Sequence, residues 1–325
     1  MKALRISVTD RCNFRCRYCM PRESFGDEFR FLPREEILRF EEILRLAGIF
    51  VDLGVEKIRL TGGEPTLRRG LPDLVAGLVR VQGLREVTLT TNASLLAGLA
   101  APLKAAGLAR LTVSLDSLDP VRFQANADTT VTLDQVLAGL EAAREAGFRG
   151  TKLNCVLRRG VNEADILPLA GFARERGYTL RFIEYMDVGT RNGWRLDEVV
   201  PAAEVAGIIA REWPIERFRK EAPNCVAQHW RYLDGAGEVG LIASVTEPFC
   251  AGCDRARLSA DGSLYTCLFA AEGMDLKGFL RGGASDAELA ALVEARWKRR
   301  DDRYSELRSA ATTALPKAEM FHLGG

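Results

Sequence analysis

From residue 3 to about 187 the chain repeats one rhythm, a short β-branched run followed by a longer stretch with apolar residues at helical spacing, six times in all. Parallel strands need a long crossover between them, so this alternation is the pattern of βα units on a parallel sheet. The strands are predicted at 3–9, 56–61, 86–91, 110–116, 151–157 and 179–184, with helices near 34–53, 71–81, 94–106, 132–146 and 162–177. Eight such units close a TIM-type barrel; six predict an α/β fold, an incomplete (βα)6 TIM-type barrel left open on one side. After Met186 the rhythm stops at Gly189-Thr190-Arg191-Asn192-Gly193-Trp194, and a helix near 201–211, short strands through 270 and an amphipathic helix near 285–298 follow. Two parts are therefore expected, the partial barrel over 1–187 and a smaller C-terminal region over 188–325 that docks on the barrel mouth and covers the open side.

Along the predicted strands polar and apolar residues alternate. Leu4, Ile6, Ile58 and Leu60 stand against Arg5, Ser7, Lys57, Arg59 and Thr61, and the pattern continues with Thr88, Thr90, Thr112, Ser114, Asp116, Lys152, Asn154 and Arg181. Helices cover the outer face of such a barrel, so the polar set is predicted to point inward, where branched apolar residues are the norm. Arg5, Lys57, Arg59, Lys152 and Arg181 would then share one enclosed space. Buried cations cost several kcal/mol each unless an anion answers them, and guanidinium and ammonium groups suit phosphates. A nucleoside triphosphate or similar polyphosphate is the inferred ligand; the bland alternative pairs these cations with Asp10, Glu64, Asp116 or Glu184.

The overall charge conceals this cluster. Lys and Arg number 45 against 44 Asp and Glu, a net charge of +1, which argues against coating nucleic acid or an acidic membrane. No apolar run approaches the roughly 18 residues of a membrane span, and the N-terminus lacks the apolar core of a secretory signal. A reducing cytoplasm is expected, where thiols are more often metal ligands than bridges.

The eight cysteines fall into groups. Cys12-x-x-x-Cys16-x-x-Cys19 follows the first strand, in a loop on the barrel face that carries active sites. Three close thiolates can ligate three irons of a [4Fe–4S] cluster and leave the fourth iron open to a small molecule; a zinc knuckle is the alternative. Cys250-x-x-Cys253-x13-Cys267 repeats the arrangement in the C-terminal region, with Asp261-Gly262 marking a hairpin between its last two members. This triplet fits a second [4Fe–4S] cluster, or zinc if His229 completed it. Cys155, Cys225 and the two histidines, His229 and His322, are read as ordinary packing residues.

At the first triplet and at Thr61-Gly62-Gly63-Glu64-Pro65 the chain resembles the radical S-adenosylmethionine (SAM) superfamily. Within it, most of the chain resembles the GTP 3′,8-cyclase family, through the runs at 4–16 and 57–65, Ser114-Leu115-Asp116-Ser117-Leu118, Phe182-Ile183-Glu184-Tyr185-Met186, Cys250-x-x-Cys253-x-Arg255-x-Arg257-Leu258 and the closing Gly324-Gly325. The resemblance implies that Tyr18, Gly62, Gly63, Glu64, Ser114, Asn154 and Met186 bind SAM. It implies that GTP contacts Arg5, Lys57, Arg59, Thr90, Lys152, Arg181, Arg255, Ala256, Arg257, Gly324 and Gly325, with Arg5, Arg255 and Arg257 catalytic. The implied cofactors are two [4Fe–4S] clusters and SAM. The implied chemistry is a 5′-deoxyadenosyl radical taking the ribose H3′ of GTP, followed by addition of the carbon radical to guanine C8, with the second cluster's open iron on the base. The implied partners are a flavodoxin or ferredoxin as electron donor, a second copy in a homodimer, and the next enzyme of molybdenum cofactor biosynthesis, cyclic pyranopterin monophosphate synthase. The segment Ala125-Asn126-Ala127-Asp128-Thr129-Thr130 departs from the family's usual connection, which leaves any substrate contact from it without support. Two other readings compete: a radical SAM enzyme on another substrate with the second cluster as relay, and a non-catalytic electron-transfer or zinc-binding protein.

Overall fold

In the computed structural model, which describes residues 1–218, 226–313 and 315–324, the alternation becomes β1 (Ala3–Ser7), α1 (Phe40–Asp52), β2 (Lys57–Thr61), α2 (Leu71–Val79), β3 (Glu86–Thr91), α3 (Leu96–Ala105), β4 (Arg110–Ser114), α4 (Pro120–Ala127), α5 (Leu133–Glu145), β5 (Lys152–Leu157), α6 (Ile166–Arg176) and β6 (Thr179–Glu184). Strands β1 to β6 pair in chain order, each parallel to the next. Leu4, Ile6, Ile58, Leu60, Leu89, Val113 and Leu153 are buried in one apolar core with Leu46, Leu74, Leu103, Leu140 and Leu169 of the helices. Each such strand side chain contributes roughly 1.5–3 kcal/mol by burial, which fixes the strand faces and turns the polar neighbours toward the other side.

The remaining elements are α7 (Ala202–Glu212), β7 (Ile215–Phe218), β8 (Gln228–Tyr232), β9 (Glu238–Ile242), β10 (Arg255–Leu258), β11 (Ser263–Tyr265), β12 (Met274–Asp275), α8 (Leu276–Arg281), α9 (Asp286–Lys298), α10 (Ala310–Thr313) and α11 (Met320–Leu323). They also join the barrel's sheet, which the strand pattern did not indicate. β9 pairs parallel with β6, from Leu180↔Val239 to Ile183↔Ile242, and β10 pairs parallel with β1, from Ala3↔Arg255 to Ile6↔Leu258. Each then carries antiparallel strands outward, giving the order β12-β11-β10-β1-β2-β3-β4-β5-β6-β9-β8-β7. The physical reason is that an open parallel sheet has two edges with unpaired N–H and C=O groups, and β9 and β10 satisfy both.

Three local differences matter to the site. The helix predicted over 34–53 is a single 3-10 turn at Arg34–Glu36 and an α-helix that begins only at Phe40, because the chain between them is extended at Ile37 and Arg39 and the Leu38 N–H donates to the Ala260 carbonyl. Helix α4, not anticipated, is capped by the Asp119 carboxylate and ends at Asp128 with φ +40°. The Asp261-Gly262 turn is a β-hairpin as expected, with Gly262 at φ +82°. No helix among the described residues is long and apolar enough to cross a membrane.

Candidate active site

Cys12, Cys16 and Cys19 line one cavity with Tyr18, Gly62, Gly63, Glu64, Ser114 and Asn92. Their loop is shaped from three sides. A Cβ at Gly62 would come within 2.5 Å of the Thr9 carbonyl, and one at Gly63 would overlap the Arg11 carbonyl, so only glycines let the second βα turn lie against the cysteine loop. The Gly63 and Glu64 N–H groups donate to the Thr9 and Arg11 carbonyls, both at 2.7 Å. From α4, the Ala127 and Asn126 carbonyls accept from the N–H groups of Arg15 and Arg17, and the Thr129 hydroxyl donates to the Asn13 carbonyl. The unusual 125–130 segment therefore braces the cysteine loop. Met20 and Phe25 form a small apolar core with Phe321, with Phe29 and Phe31 packed around it.

The electrostatics around this triplet are acidic. Burial, then the Glu64 charge, pushes the Cys12 thiol up to about 12; burial, then Asp116 and the other two cysteines, pushes Cys16 well up, and burial raises Cys19. Burial also raises Asp116 to about 6, despite bonds from the Val156 N–H and the Asn126 amide. Glu64 is raised by burial as well, but its carboxylate accepts from the Thr66 N–H and hydroxyl, the Thr91 hydroxyl and the Asn92 N–H, so it is committed to holding the turn. Thiolates so placed are costly unless a multivalent cation answers them, and iron does. Among the described residues no three His, Cys, Asp or Glu side chains converge so as to hold a metal ion.

The second triplet lies in cationic surroundings. Cys250, Cys253 and Cys267 line a cavity of about 200 Å³ with Arg5, Arg59, Arg181, Arg255 and Arg257. Strand register brings these together, since Arg5 stands beside both Arg59 and Arg257, and Asn154 beside Arg181. Burial, then the charges of Arg257, Arg255, Arg59 and Arg181, drives the Arg5 pKa well below its ordinary value. Burial, then Arg181, lowers Arg59 to about 9, and burial, then Arg255, lowers Arg257 to about 10. A guanidinium keeps its proton in a protein, so these directions mark a repulsion that an anion would relieve. Arg59 donates to the Thr90 and Thr112 hydroxyls at 3.0 Å and Arg257 to the Gly324 carbonyl at 2.9 Å. Among the described residues no carboxylate pairs with Arg5, Arg255 or Arg257. Burial pushes the Cys253 thiol up, but the Arg255 charge and hydrogen bonds outweigh it and the net direction is down; burial, with Asp302 adding to it, pushes Cys267 up to about 11.

The two cavities are continuous in their lining: Tyr18, Thr90, Ser114, Asp116 and Met320 belong to both. Comparison with known proteins gives this arrangement a family. Residues 6–173 match the Radical SAM superfamily and 178–306 the Molybdenum Cofactor Synthesis C family. The chain is 57% identical over 313 residues to the GTP 3′,8-cyclase of Acidothermus cellulolyticus, covering 95% of this chain and 86% of that one. It is 47% identical to the GTP 3′,8-cyclase of Xanthomonas axonopodis pv. citri and 44% to that of Staphylococcus carnosus, in both cases over 100% of this chain and 96% of the relative. The chain belongs to the GTP 3′,8-cyclase family of radical SAM enzymes. Among solved structures, anSMEcpe with bound AdoMet and the Cp18Cys peptide matches with a TM-score of 0.58 at 13% identity, covering 100% of this chain and 88% of that one, a likeness of fold. Membership of the radical SAM superfamily brings SAM and an iron–sulfur cluster as cofactors.

In this cyclase-family chain the residues named from sequence separate into groups. Tyr18, Thr90, Ser114, Asn154, Met186 and the five arginines line the larger cavity, and the buried Asn154 side-chain oxygen has no hydrogen-bond partner among the described residues. Lys57 does not converge with them: it forms an ion pair of 2.7 Å with Glu86, which Arg110 also engages, at the opposite end of the strands. Lys152, two residues before Asn154 on β5, is likewise not part of the lining. Ala256 alternates to the other face of β10 and is fully buried in the apolar core, so only its backbone is available to the lumen. Of the carboxylates offered as partners for the cations, Asp10 accepts from the Leu32 N–H, and Glu184 from the N–H groups of Ala202, Val245 and Thr246. Cys155 is buried beside the Asp116 carbonyl, His229 beside Glu238, and His322 at 3.5 Å from Asp261. Cys225 and Gly325 lie outside the described residues. The sequence reading missed Phe249, Phe269, Arg300, Asp302, Ser305 and Met320, all of which line the larger cavity. Only tertiary contacts bring them there; none carries a local motif.

Proposed function

We propose that this chain catalyses the family reaction, converting GTP to (8S)-3′,8-cyclo-7,8-dihydroguanosine 5′-triphosphate, the first step of molybdenum cofactor biosynthesis. The observation that supports the reading most is the continuous pair of cavities, acidic around one cysteine triplet and arginine-rich around the other. Cys12, Cys16 and Cys19 would hold one [4Fe–4S] cluster, and Cys250, Cys253 and Cys267 a second. When bound, the first cluster and SAM supply the 5′-deoxyadenosyl radical that starts the reaction.

The chain's own residues do the positioning. Tyr18, Gly62, Gly63, Ser114, Asn154 and Met186 hold SAM beside the first triplet, where Asp116 and Glu64 offset the positive charge of its sulfonium and ammonium groups. Arg5, Arg59, Arg181, Arg255 and Arg257 hold the triphosphate nucleotide, with Thr90 orienting Arg59 through its hydroxyl. Fixing the nucleotide decides which ribose hydrogen is nearest to attack, because a reactive radical does not choose. Burial of the lining keeps water out. Arg5, Arg255 and Arg257 supply fixed positive charge where the cyclised base takes up an electron, at no cost in reorganisation. Gly324, whose carbonyl accepts from Arg257, would contact the nucleotide together with its neighbour Gly325.

The reading carries further partners: a flavodoxin or ferredoxin as electron donor, a second copy in a homodimer, and cyclic pyranopterin monophosphate synthase as recipient of the product, all in a reducing cytoplasm. Anaerobic reconstitution with iron, sulfide, SAM, dithionite and GTP tests it by mass spectrometry. The expected products are 5′-deoxyadenosine and the cyclised nucleotide, with iron and sulfide each near eight per chain. Deoxyadenosine without the nucleotide product would keep the superfamily and remove the substrate; one zinc per chain would remove both.

A further inference from the structure

The segment that follows α9 crosses the larger cavity, contributing Arg300, Asp302, Ser305 and Met320 to its lining before it ends at Gly324 against Arg257. Three of its side chains meet the barrel at one carboxylate. Asp187 directly follows Met186 and is 2% exposed. It accepts from Arg308 Nε at 2.9 Å, from Lys317 Nζ at 3.0 Å and from the Tyr304 hydroxyl. The Lys317 side chain is 1% exposed and that of Arg308 8%, so two cations from the segment are buried on one anion from the barrel. Lys317 also donates to the Asp187 and Thr313 carbonyls, and Arg308 to the Ser244 carbonyl just beyond β9.

This junction touches both halves of the site. Tyr304 stacks on Phe269 with ring centroids 4.5 Å apart, and the Phe269 N–H points at the Cys267 thiol at 3.4 Å. Beyond Lys317 the Ala318 N–H donates to the Ala270 carbonyl, Glu319 accepts from the Thr190 N–H and hydroxyl, and Phe321 packs on Phe25. Met320 thereby reaches the wall common to the two cavities.

We infer that Asp187 is the positioning residue for the C-terminal segment: its carboxylate fixes residues 304–313 and 315–324 so that Met320 stands in the cavity wall, Gly324 lies against Arg257 and Cys267 keeps its place. It touches no reacting atom. The inference rests on the proposed reaction only for what mispositioning does to product. A buried ion group of this kind confers register rather than much stability, and removing one partner leaves the others uncompensated. With Asp187 gone, two buried cations face each other, and the segment leaves its seat to solvate them.

The test uses the anaerobically reconstituted holoenzyme and the variants Asp187→Asn and Lys317→Met. Asn keeps the size of the side chain but leaves Arg308 and Lys317 without an anion, whereas Lys317→Met leaves Asp187 with Arg308 and is expected to be milder. Hydrogen–deuterium exchange of peptides covering 315–323 is read without GTP and so is independent of the reaction assigned to the site. The expected result is about tenfold faster exchange in Asp187→Asn, a smaller increase in Lys317→Met, and unchanged exchange in α5. Cyclised nucleotide falls about tenfold or more in Asp187→Asn, while deoxyadenosine formation stays within about threefold, so the two activities come apart. Unchanged exchange over 315–323 in both variants would overturn the inference, as would equal loss of both activities with a matching fall in Tm. If Asp187→Asn does not fold, Lys317→Met decides alone by the same exchange measurement. Failure of the wild-type protein to make the cyclised nucleotide bears on the proposed function and leaves the exchange result standing.

Discussion

The two cysteine triplets look alike in sequence and differ in everything around them. Cys12, Cys16 and Cys19 sit against Glu64 and Asp116, and their thiols are driven up by burial and then by those carboxylates or by one another. Cys253 and Cys267 sit against Arg255, Arg257 and Arg300, with Asp302 beside Cys267; the Cys253 thiol ends below its ordinary value because Arg255 outweighs burial, while burial and Asp302 keep Cys267 raised. On the proposed function three thiolates in each place would provide the same ligand set, so the surroundings would decide what else the place attracts. An acidic wall suits SAM, which carries sulfonium and ammonium charges. A wall of guanidinium groups suits a polyphosphate. The shared lining at Tyr18, Thr90, Ser114, Asp116 and Met320 would let the two proposed ligands meet.

Removing one thiol from each triplet probes the contrast most strongly. Cys16→Ser is expected to abolish SAM cleavage altogether, while Cys253→Ser leaves some uncoupled cleavage and no cyclised nucleotide; chromatography of deoxyadenosine and product reads both. Equal loss of both activities in the two variants would end the division of labour.

The next effect concerns the cations. Arg257→Ala and Arg255→Ala are each expected to lower cyclisation by about 100-fold or more, the scale of a lost preorganised donor. Full cyclisation in those variants would remove them from the chemistry.

A smaller contrast separates two residues of one strand. Arg59→Ala is expected to weaken GTP binding by about tenfold, since it removes a buried charge-assisted contact. Lys57→Ala, whose ammonium is already paired with Glu86, is expected to change it by less than about twofold. Titration calorimetry of GTP against both variants measures the difference, and equal effects would put Lys57 back in the site.

The smallest effect is a pH dependence on the SAM side. The Asp116 carboxyl titrates near 6 in the folded protein, above its ordinary value of 3.8, so between those values the fold holds a proton that the unfolded chain has released. The stability this group contributes is fully present below the lower value and is lost as pH rises through about 6. Asp116→Asn should therefore raise Tm at pH 8 more than at pH 5. SAM affinity in the unaltered protein should weaken severalfold from pH 7.5 to 5.5 as the carboxylate is neutralised, and Asp116→Asn should flatten that dependence. A pH-independent affinity in the unaltered protein would take Asp116 out of SAM binding.

Much of the molecule was legible in one dimension. The alternation of Leu4, Ile6, Ile58 and Leu60 with Arg5 and Arg59 assigned strand faces, because a strand turns successive side chains to opposite sides. The spacing of Cys12, Cys16 and Cys19, confined to one loop, announced a shared ligand. Residues that meet from afar were not legible in this way. Asp187 lies 117, 121 and 130 positions from Tyr304, Arg308 and Lys317, and nothing local to any of them signals the others. Helix α4 begins at Asp119-Pro120, an ordinary helix start, but its eight residues carry too short a periodic pattern to stand out between β4 and α5.

By itself, then, the sequence determined the six βα units, the inward face of their strands and the grouping of the cysteines into two triplets, since these follow from periodicity and spacing. Only the tertiary structure decided that β9 and β10 complete both edges of the sheet and thereby bring Arg255 and Arg257 beside Arg5. It also separated Lys57, paired at the far end of its strand, from Arg59, which faces the cavity. The physical reason is that a cation's role depends on which charges fold up around it, and those charges come from strands and loops far away in the chain.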